Sequence, residues 1–155
     1  MAEYEFVTRW SFNAPIERVW SFIADAERWP TWWRYVAKVD VLDPGDERGV
    51  GRVLKMTWRT QLPYSLSFVI RSVRVDPPCY MHGKAEGELV GDGIWRLRQV
   101  DDVTDVRYDW NVRTTKPWMN FFAPIARPLF AWNHAGVMKA GEEGLRRMLE
   151  MEPEQ

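Results

Sequence analysis

The chain has little of what most directly announces chemistry. A single cysteine among 155 residues, Cys79, excludes an internal disulfide and suits a reducing compartment. Two histidines, His82 and His134, are too few for the clustered ligand sets of common zinc or copper centres, so no metal is expected. Lys+Arg 21 against Asp+Glu 22 leaves a net charge of -1, which gives no electrostatic basis for nucleic-acid binding. No apolar run reaches the ~18 residues that a membrane span needs, and no basic-then-apolar leader opens the chain. The expectation is a cytoplasmic protein without a membrane span, for which peripheral contact with a bilayer stays open. Serine occurs in no Gly-x-Ser-x-Gly turn and glycine in no phosphate-cradling loop. Nucleophilic catalysis is therefore unsupported, and no cofactor is implied.

What the chain does have is aromatic bulk: Trp 10, Tyr 5 and Phe 7 in one domain-sized sequence. Each such side chain buries roughly 150–250 Å², and many large flat groups interlock poorly, so they either fill a core or line a cavity for an apolar guest. The length suits one domain over residues 1–155.

Tyr4 to Phe12 alternates, with Tyr4, Phe6, Thr8, Trp10 and Phe12 on one face, as a half-buried strand does. Asn13-Ala14-Pro15 then predicts a helix start capped by Asn13, followed by Ile16, Val19, Trp20 and Ile23 at helical spacing and an end near Asp25. A short helical turn over 26–33 follows, interrupted by Pro30. From Tyr35 the period is two for about eighty residues. Leu54, Met56 and Trp58 share a face, as do Tyr64, Leu66, Phe68 and Ile70, then Trp95 and Leu97, then Val106, Tyr108, Trp110 and Val112. Turns are predicted at Asp43-Pro44-Gly45, Asp76-Pro77-Pro78, Gly91-Asp92-Gly93 and Asp101-Asp102.

The closing stretch, Pro117 to Glu150, carries sustained helical periodicity. Phe122, Ile125, Ala126, Leu129, Asn133, Gly136, Val137, Ala140 and Gly144 project within roughly a third of the circumference, the width of a core-facing stripe. That stripe loses bulk toward its end. Interior glycines cost a helix about 0.5–1 kcal/mol each relative to alanine, so Gly136, Gly141 and Gly144 imply either close packing on a strand or room for a ligand. Pro124 and Pro128 predict a kink or fresh start near Pro128, with a hinge-like entrance beside Trp118, Phe121 and Phe122. This order of elements has one layout that buries every stripe: an α+β fold whose curved antiparallel sheet of about seven strands wraps a long C-terminal helix, with two short helices after the first strand.

Three stretches carry a resemblance. Phe12-Asn13-Ala14-Pro15 running on to Trp20, Asp25-Ala26-Glu27-Arg28-Trp29 running on to Trp33, and Gly93-Ile94-Trp95-Arg96-Leu97 with Val106 to Val112 resemble the START-like helix-grip superfamily (SRPBCC), in particular its polyketide cyclase/dehydrase and lipid-transport group. The resemblance implies a helix-grip fold and a hydrophobic cavity. It also implies that the tryptophans of 29–33 form a flap over the cavity mouth; read from the residues alone, they anchor a short helix or meet a membrane surface.

The expected activity is binding, with transport as its extension, of a hydrophobic small molecule such as a lipid, isoprenoid or polyketide. Its expected walls and contacts are Met56, Trp58, Tyr64, Phe68, Trp95, Tyr108, Trp110, Phe122, Leu129 and Asn133. Trp32, Trp33 and Trp118 are expected to gate the cavity. The alternative is a polyketide cyclase, aromatase or dehydratase using the same cavity without metal, with Tyr108, Tyr64 or Asn133 polarising a carbonyl. Its catalytic residues are not otherwise identifiable, because the charged strand residues fall on the opposite face.

Overall fold

A computed structural model describes residues 3–151, so the two ends of the expected domain lie outside the described residues. The strands are β1 (Glu3–Phe12), β2 (Val36–Asp43), β3 (Val53–Arg59), β4 (Ser65–Asp76), β5 (Tyr80–Gly87), β6 (Leu89–Val100) and β7 (Val103–Thr114). The helices are α1 (Ile16–Ile23), α2 (Trp29–Trp32), preceded by a single 3-10 turn over Ala26–Arg28, and α3 (Pro117–Met151). The strands form one antiparallel sheet in the order β1-β7-β6-β5-β4-β3-β2, a meander closed by β1 returning beside β7. α3 touches α1, α2 and β1, and the buried faces of sheet and helix meet in one core. This is the helix-grip α+β architecture expected.

Several local expectations are corrected. Asn13 does not cap α1: Pro15 stands at the cap position, its carbonyl accepts the Arg18 and Val19 amides, and the Ile16 amide donates to Gln99 Oε1 at 2.9 Å. Pro30 does not interrupt its helical turn but begins it, at a position where the missing N–H costs nothing. Gly91-Asp92-Gly93 is not a turn. Gly91 and Gly93 pair with Ala85 and Gly83 inside the β5–β6 ladder, and the chain reverses at Gly87, whose φ of 112° does require glycine. The β6 glycines permit close approach, since a Cβ on Gly91 would strike the Asn111 carbonyl and one on Gly93 the Tyr108 hydroxyl.

α3 brings the largest correction. It runs unbroken through Pro124 and Pro128, so the fresh start near Pro128 does not occur. Both prolines are exposed, where water replaces a lost intrahelical hydrogen bond. Its core face is also rotated by roughly 70° from the expected stripe at 100° per residue. The buried residues are Met119, Ala123, Phe130, Asn133, Val137, Met138, Gly141, Gly144 and Leu145, whereas Phe122, Ile125 and Leu129 are 49%, 84% and 47% exposed. The first half of α3 is apolar on nearly every side, so periodicity alone did not fix which side faces inward.

The glycines are filled by protein. A Cβ on Gly141 would meet the Trp33 indole, one on Gly144 the Trp32 carbonyl, and one on Gly136 the Gln61 side chain. The tapering end of α3 thus holds α2 and the β3–β4 connection, and the ligand room inferred from these glycines is not there. Trp33 is buried at its side, donates its indole N–H to the Val137 carbonyl at 2.8 Å and sits 4.9–5.5 Å, centroid to centroid, from Trp10, Trp29, Trp32 and Trp58.

Candidate functional site

The space that remains lies nearer the middle of α3. A cavity of about 310 Å³ is lined by residues of β1, the β2–β3 connection, β3 to β7 and α3, at the lower end of the roughly 300–1,000 Å³ typical of small-molecule sites. The alternation of the meander builds it: Met56 and Trp58 on β3, Phe68 on β4, Trp95 on β6, and Tyr108 and Trp110 on β7 all project to the dry face. Tyr64 from the β3–β4 connection and Asn133 from α3 complete the set of expected residues that the structure brings to the cavity.

The other expected residues lie elsewhere. Phe122 and Leu129 do not line the cavity, because the helix presents them to solvent. Trp32 and Trp33 are core residues rather than gates, pressed against Gly144 and Gly141. Trp118 does stand at the periphery of the site, half-exposed, with its ring edge-on to Tyr64 at 5.4 Å and to Phe130 at 6.3 Å.

Residues that the sequence reading missed include Phe130, Met138 and His134 on α3, Tyr4 on β1, and Arg48 and Arg52 of the β2–β3 connection. The rotation of α3 explains the first three: a stripe drawn along the true core axis contains them. The signal for Tyr4 was present, since it shares the dry face of β1 with Phe6. Nothing in the pattern of period two marks Arg48 and Arg52, which precede their strand.

The polar groups divide into those engaged and those not. Asn133 accepts the Gln61 amide on Oδ1 at 2.8 Å and donates through Nδ2 to the Tyr64 hydroxyl at 3.3 Å. Gln61 Nε2 donates in turn to the Trp132 and Asn133 carbonyls. Asn133 therefore staples the β3–β4 connection to α3, and both ends of its amide are occupied. Tyr4 Oη, Trp58 Nε1 and Arg52 Nε are buried at the cavity lining without a partner among the described residues. An unsatisfied buried polar atom costs about 1–3 kcal/mol, so the fold carries these three at the expense of stability.

Burial shifts Tyr108, Tyr64, Tyr4 and His134 toward their neutral forms. Tyr108 lies between the Trp95 ring, stacked at 4.0 Å, and the Trp110 ring at 5.9 Å, and burial raises its phenol above the ordinary tyrosine value. Burial also raises Tyr64, partly offset by the Asn133 hydrogen bond, and raises Tyr4 against the opposing charge of Arg127. His134, stacked on Phe6 at 4.1 Å, is lowered by burial to about 4. Near neutrality the cavity thus offers phenol donors and an unprotonated imidazole of low basicity, which suits orienting a guest better than abstracting protons from it.

Residues 4–150 match a family model described as polyketide cyclase/dehydrase and lipid transport. A Thermus thermophilus protein of solved structure superposes with a TM-score of 0.77 at 17% identity, over 97% of this chain and 100% of its own. The Zhui aromatase/cyclase from a Streptomyces species gives 0.78 at 15%, over 96% and 94%. A START superfamily protein from Mycobacterium smegmatis gives 0.76 at 13%, over 95% and 97%. At such identities these likenesses establish the fold alone. No curated protein matches the sequence.

Proposed function

The chain belongs to the polyketide cyclase/dehydrase and lipid transport family, and from that premise we propose that it is a single-domain binding protein for a hydrophobic small molecule that carries oxygen functions. The ligand classes that fit are lipids, isoprenoids and polyketides, each an apolar body with few hydroxyl or carbonyl groups. The observation that carries this reading is the aromatic cavity with the phenols of Tyr64 and Tyr108 in its lining. Apolar walls supply affinity in proportion to buried area, and the phenol hydroxyls favour guests that place oxygen beside them. A cyclase or dehydratase would need an acid or base matched to neutral pH, and the groups that support the binding reading, Tyr108, Tyr64 and His134, are displaced away from it.

Native mass spectrometry of protein purified without denaturation, followed by organic extraction, tests the proposal. The expected result is an adduct that is released on extraction, or saturable uptake of the apolar dye N-phenylnaphthylamine by the emptied protein. Protein that carries no apolar compound and takes up no dye overturns it.

A further inference from the structure

The rotation of α3 leaves Trp118, Phe121, Phe122, Ile125, Leu129 and Trp132 exposed, with Phe121 and Ile125 at 78% and 84%. At 100° per residue they fall in a strip about 100° wide, and at 1.5 Å per residue it is about 21 Å long. Taking roughly 150–250 Å² for a large side chain, the strip presents on the order of 700 Å² of apolar surface, more than the ~300–600 Å² of the largest patch on a typical monomer. From Trp110 to Gly141 the sequence contains Arg113, Lys116, Arg127 and Lys139 and no aspartate or glutamate. Lys116 stands just before the strip, paired with Glu88 at 3.5 Å, and Lys139 continues its line about two turns beyond Trp132.

We propose that this face of α3 is a docking surface for an anionic lipid bilayer, lying in the membrane interface with Phe121 and Ile125 inserted and Lys139 facing acidic headgroups. The composition is that of an interfacial amphipathic helix, with tryptophan, phenylalanine and leucine on one side, no acidic residue within the strip, and Lys139 ahead of Glu143 at its C-terminal end. A second copy of the chain fits less well. Pairing two strips in parallel about a two-fold axis sets Lys139 against Lys139, and in either orientation the apolar area falls somewhat short of the ~800 Å² per partner of a standard interface. The strip also adjoins the cavity through one aromatic layer, since Trp118 packs on Tyr64 and Phe130, both of which line it. The bilayer assignment stands independently of the binding function proposed for that cavity.

Flotation of the full chain with vesicles of phosphatidylcholine alone, or of phosphatidylcholine mixed with phosphatidylglycerol, tests it. The expected result is binding to the mixed vesicles that weakens with added salt, and a loss of about tenfold or more for the double variant Phe121→Ser with Ile125→Ser. Both residues are exposed and outside the cavity lining, so the variant should keep the wild-type melting temperature and dye uptake. Lys139→Glu should weaken binding to mixed vesicles while leaving the apolar strip intact. Absence of vesicle binding overturns the proposal, as does equal binding to both vesicle types. A concentration-dependent dimer that the double variant abolishes, without vesicle binding, assigns the face to a second copy instead.

Discussion

Gly144 and Trp32 show how one residue distinguishes a packed seam from guest space. A glycine lining an empty cavity gains from alanine, because helix propensity improves by about 1 kcal/mol. At Gly144 the added Cβ would collide with the Trp32 carbonyl, a backbone atom that cannot rotate aside. Gly144→Ala is therefore expected to destabilise the protein by about 1–3 kcal/mol, measured by urea unfolding; a gain in stability would restore the guest-space interpretation of this end of α3. His134 gives a second test at this scale. Its folded pKa of about 4 lies below the unfolded value near 6.5, so between these limits the unfolded chain binds the extra proton. The stability that the neutral imidazole carries is complete above about pH 6.5 and falls away as pH drops toward 4, by roughly 3 kcal/mol at most. His134→Gln should flatten that segment of the stability profile, and an unchanged slope would show that another group titrates there.

At the scale of elements, the strands were far more legible than the long helix. A strand has two faces, and with charge on one and aromatics on the other, as in Tyr108 and Trp110 against Asp105 and Arg107, the dry side is unambiguous. A helix has a continuum of faces. Residues 118–132 contain only Asn120 and Arg127 as polar residues to orient them, so the inward direction is set by what α1, α2 and the sheet offer. The same limit hid His134 and Phe130 from the site while leaving Met56, Phe68 and Trp95 visible. Two element-scale outcomes follow from the observed contacts. Asn133→Ala removes the staple to Gln61 and Tyr64, with an expected cost of about 1–3 kcal/mol and faster hydrogen exchange at the Gln61 amide; exchange unchanged from wild type would count against the staple. Pro128→Ala supplies the missing N–H at an exposed site within α3 and is expected to raise stability, by up to ~3 kcal/mol. A melting temperature that falls instead would indicate that the helix bends there by necessity.

Across the whole molecule, the layout followed from counting stripes that needed cover, whereas the division of the interior into a solid end and a hollow end did not. That division depends on which side chains meet across the sheet: Trp33 reaches Gly141 and fills one end, whereas a cavity lined by Leu66, Phe130 and Tyr4 among others stays open at the other. The two ends should respond oppositely to changes of volume. Trp33→Ala empties the solid end, removes the hydrogen bond to Val137 and is expected to cost about 3–5 kcal/mol. Leu66→Trp adds bulk to the hollow end, where each further ~50 Å² of buried apolar surface contributes roughly 1 kcal/mol, so the emptied protein should melt at or above the wild-type temperature. The same substitution occupies guest space, so saturating N-phenylnaphthylamine, which should raise the melting temperature of the wild type by mass action, should leave that of Leu66→Trp unmoved. A variant that is stabilised yet still shifts with dye would place the binding site outside this cavity, and one that is strongly destabilised would mean that the hollow end is already packed.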